Sequence, residues 1–296
     1  MKQLLVSLLL IVPGAVVAQA PQVVPVVNLG AAPKIDGDLA EWGSDGWVKV
    51  PVKPALDKAE RAKYGLDPGG DRNATGSLTV EIKAGVAAGR FFVAVRYPDE
   101  AADLIHKEWS WRGDKYQREK QQEDMFALRF HMAGDFDRSM LSTRDYKVDV
   151  WLWSAARTNP AGIAEDMSHH VTTKLLDSAA EYEMKDGTVV YIAKRRDAGS
   201  APYEMLPRPR ENKGERLPSF ERGKPAGSAA DVAAKGAWKT GHWHLEFGRA
   251  LATGQADDVA FTAGDKLTGQ FAVFNRGAAE HKSVSEPLLF DFSAIK

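Results

Sequence analysis

Val148–Gly162, VDVWLWSAARTNPAG, constrains the fold more than any other stretch of the chain. In an extended conformation Val148, Val150 and Leu152 fall on one face, and Asp149, Trp151 and Trp153 on the other. Both faces then carry large apolar groups, so such a strand has no watery side. It must be covered twice: by a second sheet, and by another layer or by a flat apolar ligand lying against the indoles. The exit, Ala-Ala-Arg-Thr-Asn-Pro, puts Arg157 at the rim of whatever covers it.

The pattern around this strand is that of more strands. Ser77–Ala84 and Arg90–Tyr97, joined by a short Gly-bearing link, read as a hairpin. Asp124–His131 alternates Met125, Ala127, Arg129, His131 against Phe126, Leu128, Phe130. Lys147–Ser154, Thr188–Arg195, Gly241–Leu251, Thr268–Asn275 and Pro287–Phe292 follow as further strands. Helical signal is confined to Asp57–Tyr64 and Glu100–Glu108. Many strands with turn-rich links and no strand–helix alternation predict an all-β protein: an antiparallel β-sandwich of immunoglobulin-like or jelly-roll type, with long loops and few short helices. Residues 198–236 are rich in Pro, Gly, Arg and Glu without periodicity and are expected to be a long loop, wrapping or partly disordered. Residues 21–296 are expected to form a single domain around it.

Residues 1–20, MKQLLVSLLLIVPGAVVAQA, have a lysine, a short apolar run and an A-x-A end, the pattern of a secretory signal peptide. No later segment has the length and apolarity of a membrane span, so the expected location is the periplasm. The absence of cysteine excludes disulfides, thiolate metal sites, iron–sulfur clusters and thioether-linked haem, so that any cofactor is held non-covalently. A net charge of −1 argues against nucleic acid as a partner. There is no nucleophile elbow, phosphate-cradling glycine loop or His-Glu-x-x-His pair, and no enzyme activity is expected. The carboxylate pairs Glu123-Asp124 and Asp257-Asp258 read as turn and strand-end residues.

Four groups can hold a ligand. His169-His170 follows an acidic run, and His242 and His244 fall on one face of a strand, either as a zinc or copper pair or as solvent-facing rings. Met140 lies in the polar loop Phe136–Arg144, where a core role is less natural. Its thioether is a soft donor suited to haem iron, with Met132 and Met125 as competitors. His281-Lys282, in the loop after Phe271-Ala-Val-Phe-Asn-Arg-Gly, can present a nitrogen, Lys282 only as the neutral amine.

Taken together, KIDGDLAEW, EDMFALRF, VDVWLWSAARTNPAG, GSAADVAAKGAWKTGHWHLEFGRAL, DDVAF and FAVFNRGAAEHKSVS resemble, in order, the haem-binding domain of the ethylbenzene dehydrogenase type. That family includes gamma subunits of periplasmic molybdenum enzymes of the dimethylsulfoxide reductase group. The resemblance implies a β-sandwich holding one b-type haem between a methionine, best matched by Met140, and a lysine or histidine, matched by Lys282 with His281 as rival. It implies an electron-transfer role with a redox partner protein, such as a periplasmic molybdenum oxidoreductase subunit. Trp151 and Trp153 would then wall the macrocycle, with Arg157 near a propionate. The opening KIDGDLAEW is also similar to family-nine carbohydrate-binding modules, in which Trp109, Trp111, Trp151 and Trp153 would form a sugar platform. A family member that has lost its haem and serves as a scaffold is the third reading.

Overall fold

The computed structural model describes residues 20–296, and the expected signal peptide, save Ala20, lies outside the described residues. Fourteen strands form one large sheet. In chain order they are β1 (Gln22–Asn28), β2 (Val48–Pro54), β3 (Leu78–Ala87), β4 (Arg90–Pro98), β5 (Met125–Gly134), β6 (Tyr146–Ser154) and β7 (Glu165–Thr172). The second half supplies β8 (Ala180–Glu183), β9 (Val189–Arg196), β10 (Ala233–Lys239), β11 (His242–Ala250), β12 (Lys266–Phe274), β13 (Ser283–Ser285) and β14 (Leu288–Asp291). The spatial order is β8-β9-β7-β6-β5-β12-β13-β2-β3-β4-β11-β10.

The sheet departs from the purely antiparallel expectation at one strand. β1 runs parallel to both neighbours, β14 (Gln22 beside Leu288) and β3 (Val26 beside Ala84). It fills the space beyond β2, so the seam between the two halves of the sheet is double-width, with β13 and β14 on one side and β2 and β1 on the other.

The sheet doubles back on itself as a β-sandwich. Phe126, Leu128 and Phe130 of β5 and Trp151 and Trp153 of β6 point inward and are fully buried. They meet Phe91 of β4 and Trp243 of β11 from the opposite layer. Phe91 lies 6.0 Å from Phe130 and 6.2 Å from Trp151, and Trp153 lies 4.9 Å from Trp243, edge to face. Such pairs add to the burial of the rings themselves. Gly236 of β10 makes room for this packing, because a Cβ there would stand 2.5 Å from the Trp153 ring.

The β3–β4 hairpin turns on Ala88 and Gly89, both at positive φ, the two-residue turn that matches strand twist. The short helix α1 (Lys58–Lys63) begins at Asp57 in a capping box with Glu60, as expected from Asp57–Tyr64. Glu100–Glu108 is not helical but an extended crossing segment. Residues 198–236 are not a structureless loop either. Residues 199–200 pair with 226–227 and residues 203–205 with 220–222. Arg216–Leu217 joins Trp109–Trp111 and Tyr116–Arg118 in a three-stranded sheet. The segment is a folded arm laid across the 106–119 crossing, with Ser219 Oγ donating to the His106 carbonyl at 2.7 Å. Among the described residues no helix is long and apolar enough to cross a membrane.

Candidate functional site

The inward face of β5-β6-β7 is used up by the core, and the outward face is where the chain makes a cavity of about 600 Å³, within the usual size range of small-molecule and cofactor sites. Its floor is the outward set of each strand: Met125, Ala127 and Arg129 of β5, Val150 and Leu152 of β6, Met167 and His169 of β7, Ile192 and Lys194 of β9, and Ala272 and Phe274 of β12. Its rim is built by loops: Ala55–Leu66 around α1, Arg138–Leu141, Ala278–Lys282, and Tyr203 of the arm.

Met140, Lys282 and Arg157 therefore line one cavity. Trp151 and Trp153 do not: both are fully buried between the layers, and the opposite face of the same strand, Val150 and Leu152, supplies the wall. The indoles form no sugar platform either, since Trp109 and Trp111 sit apart on the 106–119 crossing. Met132 and His242 are absent from the cavity lining, whereas Met125, Met167 and His169 belong to it. Met167 escapes the sequence reading because its face of Glu165–Thr172 mixes Glu165 and His169 with Met167 and Val171 while the other face is wholly polar; His169 reads only as a metal ligand or a solvent-facing ring.

The Met140 loop is held by a buried cation. Arg129 donates to Gln270 Oε1 at 2.6 Å and to the carbonyls of Asp137 and Arg138 at 2.6 and 2.7 Å. The Tyr146 hydroxyl donates to the Ser139 carbonyl at 2.8 Å, and the Asp137 carboxylate accepts from Ser139 N and Ser142 Oγ. Met140 itself packs with Phe136, Leu141 and Leu152 against the outer aliphatic cluster.

Lys282 turns its ammonium toward the Ala279 carbonyl, 2.5 Å away, beside the Phe274 ring. Burial, then the charges of Lys194 and Arg129, push it down to about 7. Burial also lowers Lys194. His169 is held well below the ordinary imidazole range by burial and by these same cations, with Nε2 3.1 Å from Met167 Sδ. His281 faces the other way. Its Nδ1 lies 3.0 Å from Asp71 Oδ1 and accepts from the Arg72 amide at 3.1 Å, and Nε2 lies 3.4 Å from Glu280.

Arg157 is committed locally. Its Nε donates to Glu123, its Nη1 donates to the Tyr203 hydroxyl at 2.6 Å, and Glu123 also accepts from the amides of Ala156 and Arg157. Burial alone would raise Glu123, but His106 and Arg157 outweigh it and hold the carboxyl below its usual range.

Charge around the cavity is one-sided. Lys107, Arg129, Arg138, Arg157, Lys194, Arg196 and Lys282 line it against the carboxylates of Glu165 and Glu280. A second cleft shares Lys107, Gln122 and Ala278 with the first and adds Arg72, Arg118, Lys120, Arg276 and His281 against Glu119. The two together suit a ligand with an apolar body and an anionic edge.

A family model described as ethylbenzene dehydrogenase matches residues 41–285. No curated protein matches the chain. Among solved structures, one similar chain is a protein from Bacteroides uniformis whose carbohydrate binding is itself only suggested, at 7% identity and TM-score 0.41 over 91% of each chain. Another is a family 9 carbohydrate-binding module from Caldicellulosiruptor kristjanssonii in complex with glucose, at 11% identity and TM-score 0.32 over 89% of this chain and 85% of that one.

Proposed function

Because the chain belongs to the ethylbenzene dehydrogenase family, we propose that it is a non-catalytic electron-transfer subunit holding one haem b, without covalent attachment, in the cavity lined by Met140 and Lys282. The observation that carries this reading is the convergence of a thioether and an amine, from two separate loops, on one cavity with a largely apolar floor and a surplus of cations. A flat apolar macrocycle with two carboxylates needs that combination.

Bound there, the haem supplies a one-electron couple. Met140 is the soft donor, which favours reduced iron and raises the potential. Lys282 binds as the neutral amine, a form that its buried surroundings favour. His281 is the poorer candidate, its ring nitrogens being engaged by Asp71, Arg72 and Glu280. Arg157 is already neutralised by Glu123, so the propionate contacts are assigned to Lys107 and the adjoining basic cleft. A periplasmic location, and a molybdenum oxidoreductase subunit as redox partner, belong to the same proposal.

The absorption spectrum of the purified full chain tests it. A Soret band with sharp reduced α and β bands, extractable into acidified solvent, is expected. A colourless protein after haem-replete expression overturns the proposal. Retention of glycans by such a protein would identify a carbohydrate-binding module, and refusal of added haem without glycan binding would identify a scaffold.

A further inference from the structure

A second buried polar centre lies on the inner face of the sheet, away from the cavity. Asp149 of β6, Asp166 of β7, Asp197 just after β9, Asp231 just before β10, and Asp257-Asp258 in the loop after β11 converge there around one cation, Arg249 of β11. Carboxylate oxygens of Asp149, Asp166 and Asp258 all lie within 4.8 Å of one another, and so do those of Asp197, Asp257 and Asp258. Asp166 is within hydrogen-bonding reach of both Asp197 and Asp231, and Asp231 of Asp258.

Arg249 satisfies only part of this set. Its Nη1 donates to Asp149 Oδ2 and Asp258 Oδ1, both at 2.8 Å, and stands 3.5 Å from Asp166. Asp257 is engaged by the Ala198 amide and Ser228 Oγ, and the second oxygen of Asp258 by Thr253 Oγ1. That leaves both oxygens of Asp166, both of Asp197, and one each of Asp149 and Asp231 buried without a hydrogen-bond partner. The Asp166 side chain is 0% exposed and Asp197 is 5% exposed. Unpartnered buried carboxylates that touch one another carry a large desolvation and repulsion cost, which either protons or a metal ion must relieve.

We infer that these aspartates form a calcium site, with Asp149, Asp166, Asp197 and Asp231 as its ligands. The donor set is all carboxylate, and its six unpartnered oxygens reach the lower end of the six to eight that Ca²⁺ takes up. Mg²⁺, which keeps its waters, fits a dry all-protein cage poorly. Half-exposed Asp231 and Asp257 lie on the way in from solvent. Asp197 and Asp231 bracket the arm, so the ion ties both ends of that arm to β6 and β7, and with them Tyr203 at the cavity rim. The site is independent of what the cavity binds.

The test uses the full-length protein, stripped with a chelator and then titrated with CaCl₂ or MgCl₂ near neutral pH. Retained calcium by elemental analysis of untreated protein is expected, with an unfolding midpoint raised by about 5 °C in millimolar Ca²⁺ and hardly at all in Mg²⁺. Asp231→Asn, at a half-exposed position, should weaken calcium binding at least about ten-fold while leaving the chain folded. Asp166→Asn should abolish the calcium-dependent shift, and if that variant fails to fold, the wild-type titration and Asp231→Asn still decide. No retained calcium together with no calcium-dependent midpoint overturns the inference, as does a cluster relieved only by protons, in which stability rises on acidification and ignores Ca²⁺.

Discussion

Arg138 and Lys282 meet on a single residue. Arg138 Nη1 donates to the Ala55 carbonyl at 3.0 Å, while the Ala55 amide donates to the Lys282 carbonyl at 2.9 Å. Arg138 stands two residues before Met140, so the two proposed ligand loops share one anchor between β2 and α1. Arg138→Ala should therefore weaken haem retention by about 10- to 100-fold, the usual cost of losing an outer-shell partner. Haem transfer to a scavenging apo-globin measures it. An unchanged transfer rate would mean that the loops hold their places without Arg138.

The axial assignment separates from simple pocket damage by potential. Met140→His should keep a six-coordinate spectrum and lower the midpoint potential by on the order of 100 mV, since the thioether is lost but the coordination is not. Lys282→Ala should give a five-coordinate reduced spectrum, and His281→Ala should not. If His281→Ala alone alters coordination, the nitrogen donor is His281.

Trp153 and Ala127 should respond in opposite ways. Trp153→Ala empties the core beside Trp243 and should cost about 3–5 kcal/mol in urea unfolding, leaving the spectrum of the folded fraction unchanged. Ala127→Trp fills the outer cavity and should abolish haem uptake with little loss of stability. A haem spectrum sensitive to Trp153 but indifferent to residue 127 would put the ligand on the other face of the sheet.

Asp124 makes stability depend on pH in the less common direction. Its Oδ2 accepts from the Asp103 amide at 2.7 Å and from Trp243 Nε1 at 3.1 Å, but burial, reinforced by Asp99 and Asp103, raises it from 3.8 to about 7. The folded state thus holds a proton that the unfolded chain releases near pH 4. The contribution is complete below that value and is lost as pH rises through about 7, up to about 4 kcal/mol from this group. Asp124→Asn should flatten the fall in stability between about pH 4 and pH 7, and parallel profiles for the two proteins would exclude Asp124 as its source.

The positions of most of the longer strands were legible, whereas their order in the sheet and the function of each face were not. Alternation located β5, β6, β11 and β12 because their inward residues, Asp149, Arg249 and Gly269 apart, are large and apolar. β7 escaped because Asp166 faces the acidic centre while Met167 and His169 face the cavity, so neither face reads as a core stripe. In β6 the pattern correctly required two covers, yet the size of the indoles pointed to the wrong one as the ligand wall. Val150 gains its role only beside Arg129 of β5 and Met167 of β7, cross-strand neighbours that no local window contains. Loop chemistry alone left Met140 beside Met132 and Met125, and Lys282 beside His281; only the family resemblance singled out Met140 and Lys282 and implied that they share one pocket. Asp257-Asp258 read as a strand end because its partners, Asp166, Asp197 and Asp231, are brought to it only by the closing of the sandwich.

The parallel seating of β1 between β14 and β3 also sets an order of events during synthesis. Gln22 finds its partner, Leu288, only when residues 23–287 between them have been made. At about 5–20 residues per second the first strand waits on the order of tens of seconds with one edge unclaimed. Until then Val24 and Val26, both fully buried in the finished sheet, are available to chaperones or to a neighbouring chain, and the arrival of Leu288–Asp291 decides when that exposure ends.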